Sequence, residues 1–78
     1  MCAYNNSEKH ILCQLFRELR DEAGIRQVEL AERLGRPQSF VSKYESGEKN
    51  LTFLEVKDVC KALGISLSKF ITRFEALL

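Results

Sequence analysis

Apolar residues recur along the chain at spacings of three and four, and no stretch alternates strictly. A helix turns once every 3.6 residues, so this spacing places the apolar set on one face. Leu12, Leu15, Phe16 and Leu19 form the first stripe. Ser7 is a capping residue ahead of it, which predicts a helix over residues 7–23 stopped by Gly24. A second helix is predicted over Gln27 to Leu34, with Leu30, Ala31 and Leu34 inward and Gly35 at its end. Pro37 suits the start of a third helix, because its missing N–H would have no helical partner there. That helix runs from Gln38 to about Ser46, with Val41 and Tyr44 inward, and stops at Gly47. Thr52 followed three residues later by Glu55 reads as a capping box. It opens a fourth helix to Leu63, with Phe53, Val56, Cys60 and Leu63 inward and Gly64 as its stop. Ser66 caps a fifth, whose apolar set is Leu67, Phe70, Ile71, Phe74, Leu77 and Leu78. The fold class is therefore all-α, with five helices.

Composition narrows the picture. The chain has 78 residues, 45% of them hydrophobic, which fits one small globular domain and argues against disorder. A single Pro and four Gly exclude a loop-built chain. No apolar run approaches the ~18 residues needed to span a bilayer. Residues 1–6 have neither a basic segment nor an apolar one, so they read as a flexible arm rather than a secretory signal. The expected compartment is the cytoplasm. The cysteines, Cys2, Cys13 and Cys60, form no CxxC pair. His10 and Cys13 lie three apart, but two residues make no metal site, so neither metal nor cofactor is expected. Cys60 falls on an apolar stripe as a core residue. No nucleophile–base pair or carboxylate pair stands out, which argues against an enzyme.

Helices two and three carry the functional signal. Two short helices joined by a tight Gly-containing turn make a helix-turn-helix, whose second helix lies in the DNA major groove. On a helical wheel, Ser39, Ser42, Lys43 and Ser46 oppose Val41 and Tyr44, and Gln38 sits at the helix start. This outer face is small, polar and free of acid. Gln can bridge an adenine edge, Lys can reach guanine O6 or N7, and Ser suits several edges. Phe40, on the flank, can either pack against helix two or touch a thymine methyl. Against this stands the charge balance, 12 basic to 11 acidic residues and a net +1. A DNA binder of that charge should bind non-specific DNA modestly, with a shallow salt slope.

The stretches "FRELRDEAGIRQVELAERLGRPQSFVSKYESGEKN" and "KALGISLSKFI" resemble the Cro/CI-like, or XRE, helix-turn-helix family from Phe16 to Ile71. The resemblance implies a five-helix, lambda-repressor-like domain over residues 7–78. It implies base-reading positions at Gln38, Ser39, Phe40 and Lys43. Gln27 matches a glutamine that contacts a phosphate and braces the first reading residue. Ser46, Lys49 and Asn50 match backbone-contacting positions, and Arg26 and Ser42 complete the expected phosphate set. Arg20 and Glu45 match a pair that joins helix one to helix three by a partly buried salt bridge. Two positions depart from the family pattern. Arg26 stands where Ser or Thr usually caps helix two, and Pro37 stands where Ser usually opens helix three.

Helix five carries more apolar surface than its core needs. Phe74, Leu77 and Leu78 continue the stripe to the end, and Leu54 lies off the inward face of helix four. The last turn can fold back over Ile11 or Leu15, or it can meet a second copy. A homodimer interface at Leu54, Phe74, Leu77 and Leu78 is the expected use. The resulting expectation is a homodimeric, sequence-specific regulator that binds double-stranded DNA at a palindromic operator, with no membrane partner. The alternative is an interaction module, such as an antitoxin, whose main partner is a protein.

Overall fold

The computed structural model describes residues 6–78. Five helices follow in order: α1 (Asn6–Glu22), α2 (Gln27–Leu34), α3 (Gln38–Ser46), α4 (Phe53–Leu63) and α5 (Leu67–Leu77). Among the described residues there is no strand. The arm expected over residues 1–6, Cys2 included, lies outside the described residues except for Asn6, which opens α1. Ser7 is thus inside the first turn of α1 instead of capping it.

The helix ends follow from local chemistry. Thr52 caps α4 by accepting the Glu55 N–H at 3.1 Å, while Glu55 accepts the Thr52 N–H at 2.9 Å. Ser66 caps α5 by accepting from the Lys69 N–H at 3.1 Å. The turn between α2 and α3 depends on Gly35, whose φ of +67° an L side chain adopts only with strain. From that conformation the Arg36 N–H reaches back to the Ala31 carbonyl at 3.0 Å, closing α2 with three residues between it and α3.

Packing joins α2 to α3 most closely, sets α1 against both α3 and α5, and lays α4 across α2 and α5. Leu15, Phe16 and Leu19 of α1, Leu30 and Ala31 of α2, and Val41 and Tyr44 of α3 are all buried. Val59 and Cys60 of α4 and Phe70 of α5 complete this centre, and Ile25 plugs it from the α1–α2 turn. Each such large apolar side chain contributes about 1.5–3 kcal/mol relative to exposure. Four aromatic rings run through it in line. Phe70 stacks on Phe16 at 5.1 Å, Phe16 meets Tyr44 edge-on at 5.2 Å, and Tyr44 meets Phe40 edge-on at 5.6 Å. Burial pushes the Cys60 thiol up to about 11, as befits a core residue.

Two expectations about the core are corrected. Phe53, expected inward, is 65% exposed, and Val59 takes the buried place in α4. Ile71, expected in the core stripe of α5, is exposed. Phe74 is partly buried against the core, whereas Leu77 and Leu78 are exposed. Leu77 borders a shallow hollow of about 150 Å³ with Ile11 and Leu15 of α1, so the last turn does lie along α1.

Candidate nucleic-acid interface

The inner and outer sides of α3 are built differently. Inward, Phe40, Val41, Tyr44 and Glu45 are buried. Outward, Gln38, Ser39, Ser42, Lys43 and Ser46 are all exposed. The helix starts at Pro37, whose carbonyl accepts the Phe40 N–H at 2.9 Å, so no side chain is needed to cap it. It ends at Gly47, where φ is +88° and a Cβ would come within 3.7 Å of the Cys13 Sγ on α1.

Glu45 is the only charged residue in the buried set among the described residues, and its carboxylate is fully used. Arg20 donates to it through Nε at 2.8 Å and Nη2 at 3.1 Å. Gln27 donates Nε2 to the same carboxylate at 3.0 Å. Arg20 also donates Nη1 to the Ile25 carbonyl at 3.0 Å. The guanidinium is held above its ordinary pKa, chiefly by its hydrogen bond to Glu45. A buried charge is tolerated when its hydrogen-bonding capacity is met in this way. The network continues outward, since Gln38 donates to the Gln27 Oε1 at a long 3.5 Å. The chain of contacts Arg20–Glu45–Gln27–Gln38 thus ties the start of α3 to α1 and α2. The expected Arg20–Glu45 pair is present, and so is the contact between Gln27 and Gln38.

Phe40 is a correction. Its ring is 9% exposed and belongs to the core, so it does not take the outward place expected of a base-reading residue. Arg36 lies over the ring with its guanidinium carbon 4.6 Å from the centroid, and the Lys49 Nζ lies 5.5 Å away. A helical wheel places Phe40 on the flank. The cations that cover it come from outside the helix, one on each side in sequence.

Both cations face Glu55. Arg36 Nη2 is 3.6 Å from its carboxylate, and Lys49 Nζ is 4.0 Å away. The Thr52 N–H, and then the Lys49 charge, hold the Glu55 carboxyl below the usual carboxylate range. Arg26 repeats the arrangement on α2. Its own N–H donates to the Glu29 Oε1 at 3.0 Å, and its Nε donates to the same oxygen at 3.2 Å. Arg26 therefore stands at the N-cap while Glu29 supplies the acceptor. Ser46 donates to the Lys43 carbonyl at 3.1 Å and lies 3.2 Å from the Glu48 carboxylate. Asn50 is exposed beyond it. The role of Glu55 as a holder of two cations had no signal in the sequence beyond its place in the capping box.

Tyr44 carries a buried hydroxyl without a hydrogen-bond partner among the described residues. Burial, and then the neighbouring Glu45 charge, push the phenol well above its ordinary range. Far from α3, Arg73 of α5 binds Glu22 of α1 through two bonds of 2.8 Å. Arg33 of α2 donates to the Ala62 carbonyl of α4 at 2.9 Å. Among the described residues, no cluster of three or more His, Cys, Asp or Glu is placed to hold a metal, and no helix is long and apolar enough to cross a membrane.

Comparison with known proteins gives a consistent picture. The helix-turn-helix family model matches residues 16–70. An HTH-type transcriptional regulator of Sinorhizobium fredii, y4dJ, is 35% identical over 57 residues, which is 73% of this chain and 74% of the relative. The structure of an XRE-family like protein from Pseudomonas syringae pv. tomato superposes with a TM-score of 0.85 at 44% identity, covering 92% of this chain and 88% of that one. The restriction–modification controller protein C.Esp1396I, solved as a tetramer with its natural 35 base-pair operator, has the same fold. It superposes with a TM-score of 0.82 at 22% identity, covering 88% of this chain and 91% of that one.

Proposed function

The chain belongs to the XRE-type helix-turn-helix family of transcriptional regulators, and from that premise we propose that it reads operator DNA as a homodimer. The observation that carries this reading is the division of α3. Its inner face is fixed by burial and by the Glu45 network, while its outer face offers small polar groups and one lysine to a major groove. In this reading Gln38, Ser39 and Lys43 contact base edges. Arg26, Gln27, Ser42, Ser46, Lys49 and Asn50 contact the phosphate backbone, which sets register without carrying sequence. Phe40 supports α3 from inside and reads nothing.

A second copy is the proposed cover for part of the exposed apolar surface. Leu54, Leu77 and Leu78 are 50–66% exposed, and Phe74 adds its free edge. A two-fold dimer through this face sets two recognition helices about 34 Å apart, facing successive major grooves, and calls for a palindromic site. The operator-bound assembly of the controller protein is a precedent in the same fold for binding DNA as an oligomer. The protein acts where its operator lies, in the cytoplasm, by blocking or recruiting polymerase.

The test is selection of binding sites from random duplex DNA by the native protein and by a folded variant with alanine at Gln38, Ser39 and Lys43. A palindromic consensus obtained with the native protein alone is the expected result. No enrichment by either protein would overturn DNA reading and redirect the search to a protein partner.

A further inference from the structure

Three cations border the recognition helix without being free. Arg26 opens α2, Arg36 sits in the turn before α3, and Lys49 follows α3. Each lies against a glutamate at the third position of a helix. Glu29 holds Arg26, and Glu55 holds both Arg36 and Lys49. The two glutamates differ in setting. The side chain of Glu55 is 17% exposed and that of Glu29 is 43% exposed. Glu55 is also fixed by its own backbone contact to Thr52 and lies beside the Phe40 ring over which both of its cations are stacked. Asp58, which with Leu34, Arg36, Phe40 and Glu55 lines a small hollow, pairs with Lys57 at 3.6 Å instead.

A phosphate approaching the α4 side of α3 meets Arg36 and Lys49 with a carboxylate already between them. We infer that Glu55 is an internal competitor of DNA phosphate. It positions Arg36 and Lys49 beside the recognition helix, cancels much of their charge, and so holds back binding that is independent of sequence. This rests on the reading of the protein as a DNA binder. It gives the net charge of +1 a local meaning. Two of the eleven acids, Glu29 and Glu55, sit on the three cations that flank helices α2 and α3. Base contacts through Gln38, Ser39 and Lys43 then carry a larger share of affinity, since no acid pairs with them among the described residues.

Glu55→Gln separates the charge of this residue from its capping role. The amide oxygen still accepts the Thr52 N–H, because Gln serves in a capping box as Glu does. Only the negative charge is lost. The experiment measures binding of native protein and E55Q to a duplex of unrelated sequence, from about 50 to about 200 mM salt. A thermal melt of each variant verifies the fold. The expected result is about fivefold tighter binding by E55Q at the lowest salt. Its plot of log affinity against log salt is steeper by about 0.9 for each cation released to a phosphate. In an Arg36→Ala, Lys49→Ala background the same substitution has no effect on affinity or slope. Glu29→Gln, which frees one more exposed cation, gives a smaller gain.

Native protein that binds duplex DNA with E55Q indistinguishable from it would overturn the competitor role while leaving DNA reading intact. So would a gain that persists after both cations are removed. Native protein that binds neither selected nor unrelated duplex would take down both readings. A merely structural role for Glu55 moves the melt without moving the salt slope.

Discussion

α3 and α5 are of similar length, nine and eleven residues, yet they are finished in opposite ways. α3 is settled on its inner face and left polar outside. Its buried charge is fully bonded, its aromatics are packed, and its C-terminus is closed by Gly47. α5 is anchored at its start by Ser66 and Phe70, and across to α1 by Arg73, but Ile71, Leu77 and Leu78 face outward. A polar outer face over a rigid inner one suits a surface that must be held still and read hydrated groups. An apolar outer face has no use in water except contact. In the reading proposed above, the two helices divide the work between specificity and assembly.

The largest expected effect tests the rigid side of this contrast. Glu45→Ala leaves the partly buried Arg20 with only the exposed Asp21, at 3.6 Å, as a counter-charge, and frees Gln27. It should cost about 3–5 kcal/mol in urea unfolding. A loss below about 1 kcal/mol would show that the network does not hold α3. On α5, Leu77→Asp with Leu78→Asp should raise the dimer dissociation constant by at least about tenfold in sedimentation, with the monomer still folded. An unchanged constant would move assembly to another face. Back on α3, Lys43→Ala should change preference at one position per half-site and cost about 1–3 kcal/mol on the selected operator. Melting should stay within about 0.5 kcal/mol of native. Equal losses on every sequence would make Lys43 a phosphate contact. Tyr44→Phe removes an unpartnered buried hydroxyl and should be neutral or stabilising by up to about 1 kcal/mol. A clear loss would reveal a partner for that oxygen.

The smallest effect is in pH. Arg73 holds the Glu22 carboxyl below its ordinary 4.5 by a hydrogen bond, so this tie between α1 and α5 is fully present above that value. It is lost as pH falls through the depressed folded value, because protonation is then favoured in the unfolded chain first. Acid melts of native protein and Glu22→Gln should therefore converge as pH drops below about 4.5. Curves that stay parallel would mean the pair contributes nothing.

Most of the helical frame was legible because its signals are local. The span of α2, the span of α3 and the Thr52–Glu55 cap follow from glycine, proline and hydroxyl positions that act within a few residues. Phe53 was misplaced because a wheel gives the angle of a side chain but not its depth along the axis. Phe53 shares the angle of Val56 and Cys60, yet in the first turn of α4 it is 65% exposed, while Val59, further along the helix, is buried. Ile25 was missed because it lies between helices, where periodicity says nothing. Within the interface, the Arg20–Glu45 pair was foreseen through family resemblance and is present. For Phe40 the wheel left burial and outward contact open, and the structure buries it. The grip of Glu55 on Arg36 and Lys49 had no signal, because it joins residues far apart in the chain.

The contact chain from Arg20 to Gln38 also governs how this protein can change. Ser39, Ser42 and Lys43 are exposed, and among the described residues no partner restrains their side chains. In the proposed reading, exchanging Ser39 or Lys43 retunes sequence preference at almost no cost in stability, whereas exchanging Ser42 alters only contact with the backbone. Gln38 is hitched through Gln27 to a buried carboxylate, so replacing it disturbs the scaffold along with the reading. In the proposed reading, new specificities therefore open first through positions 39 and 43, while a change at position 38 also touches Gln27.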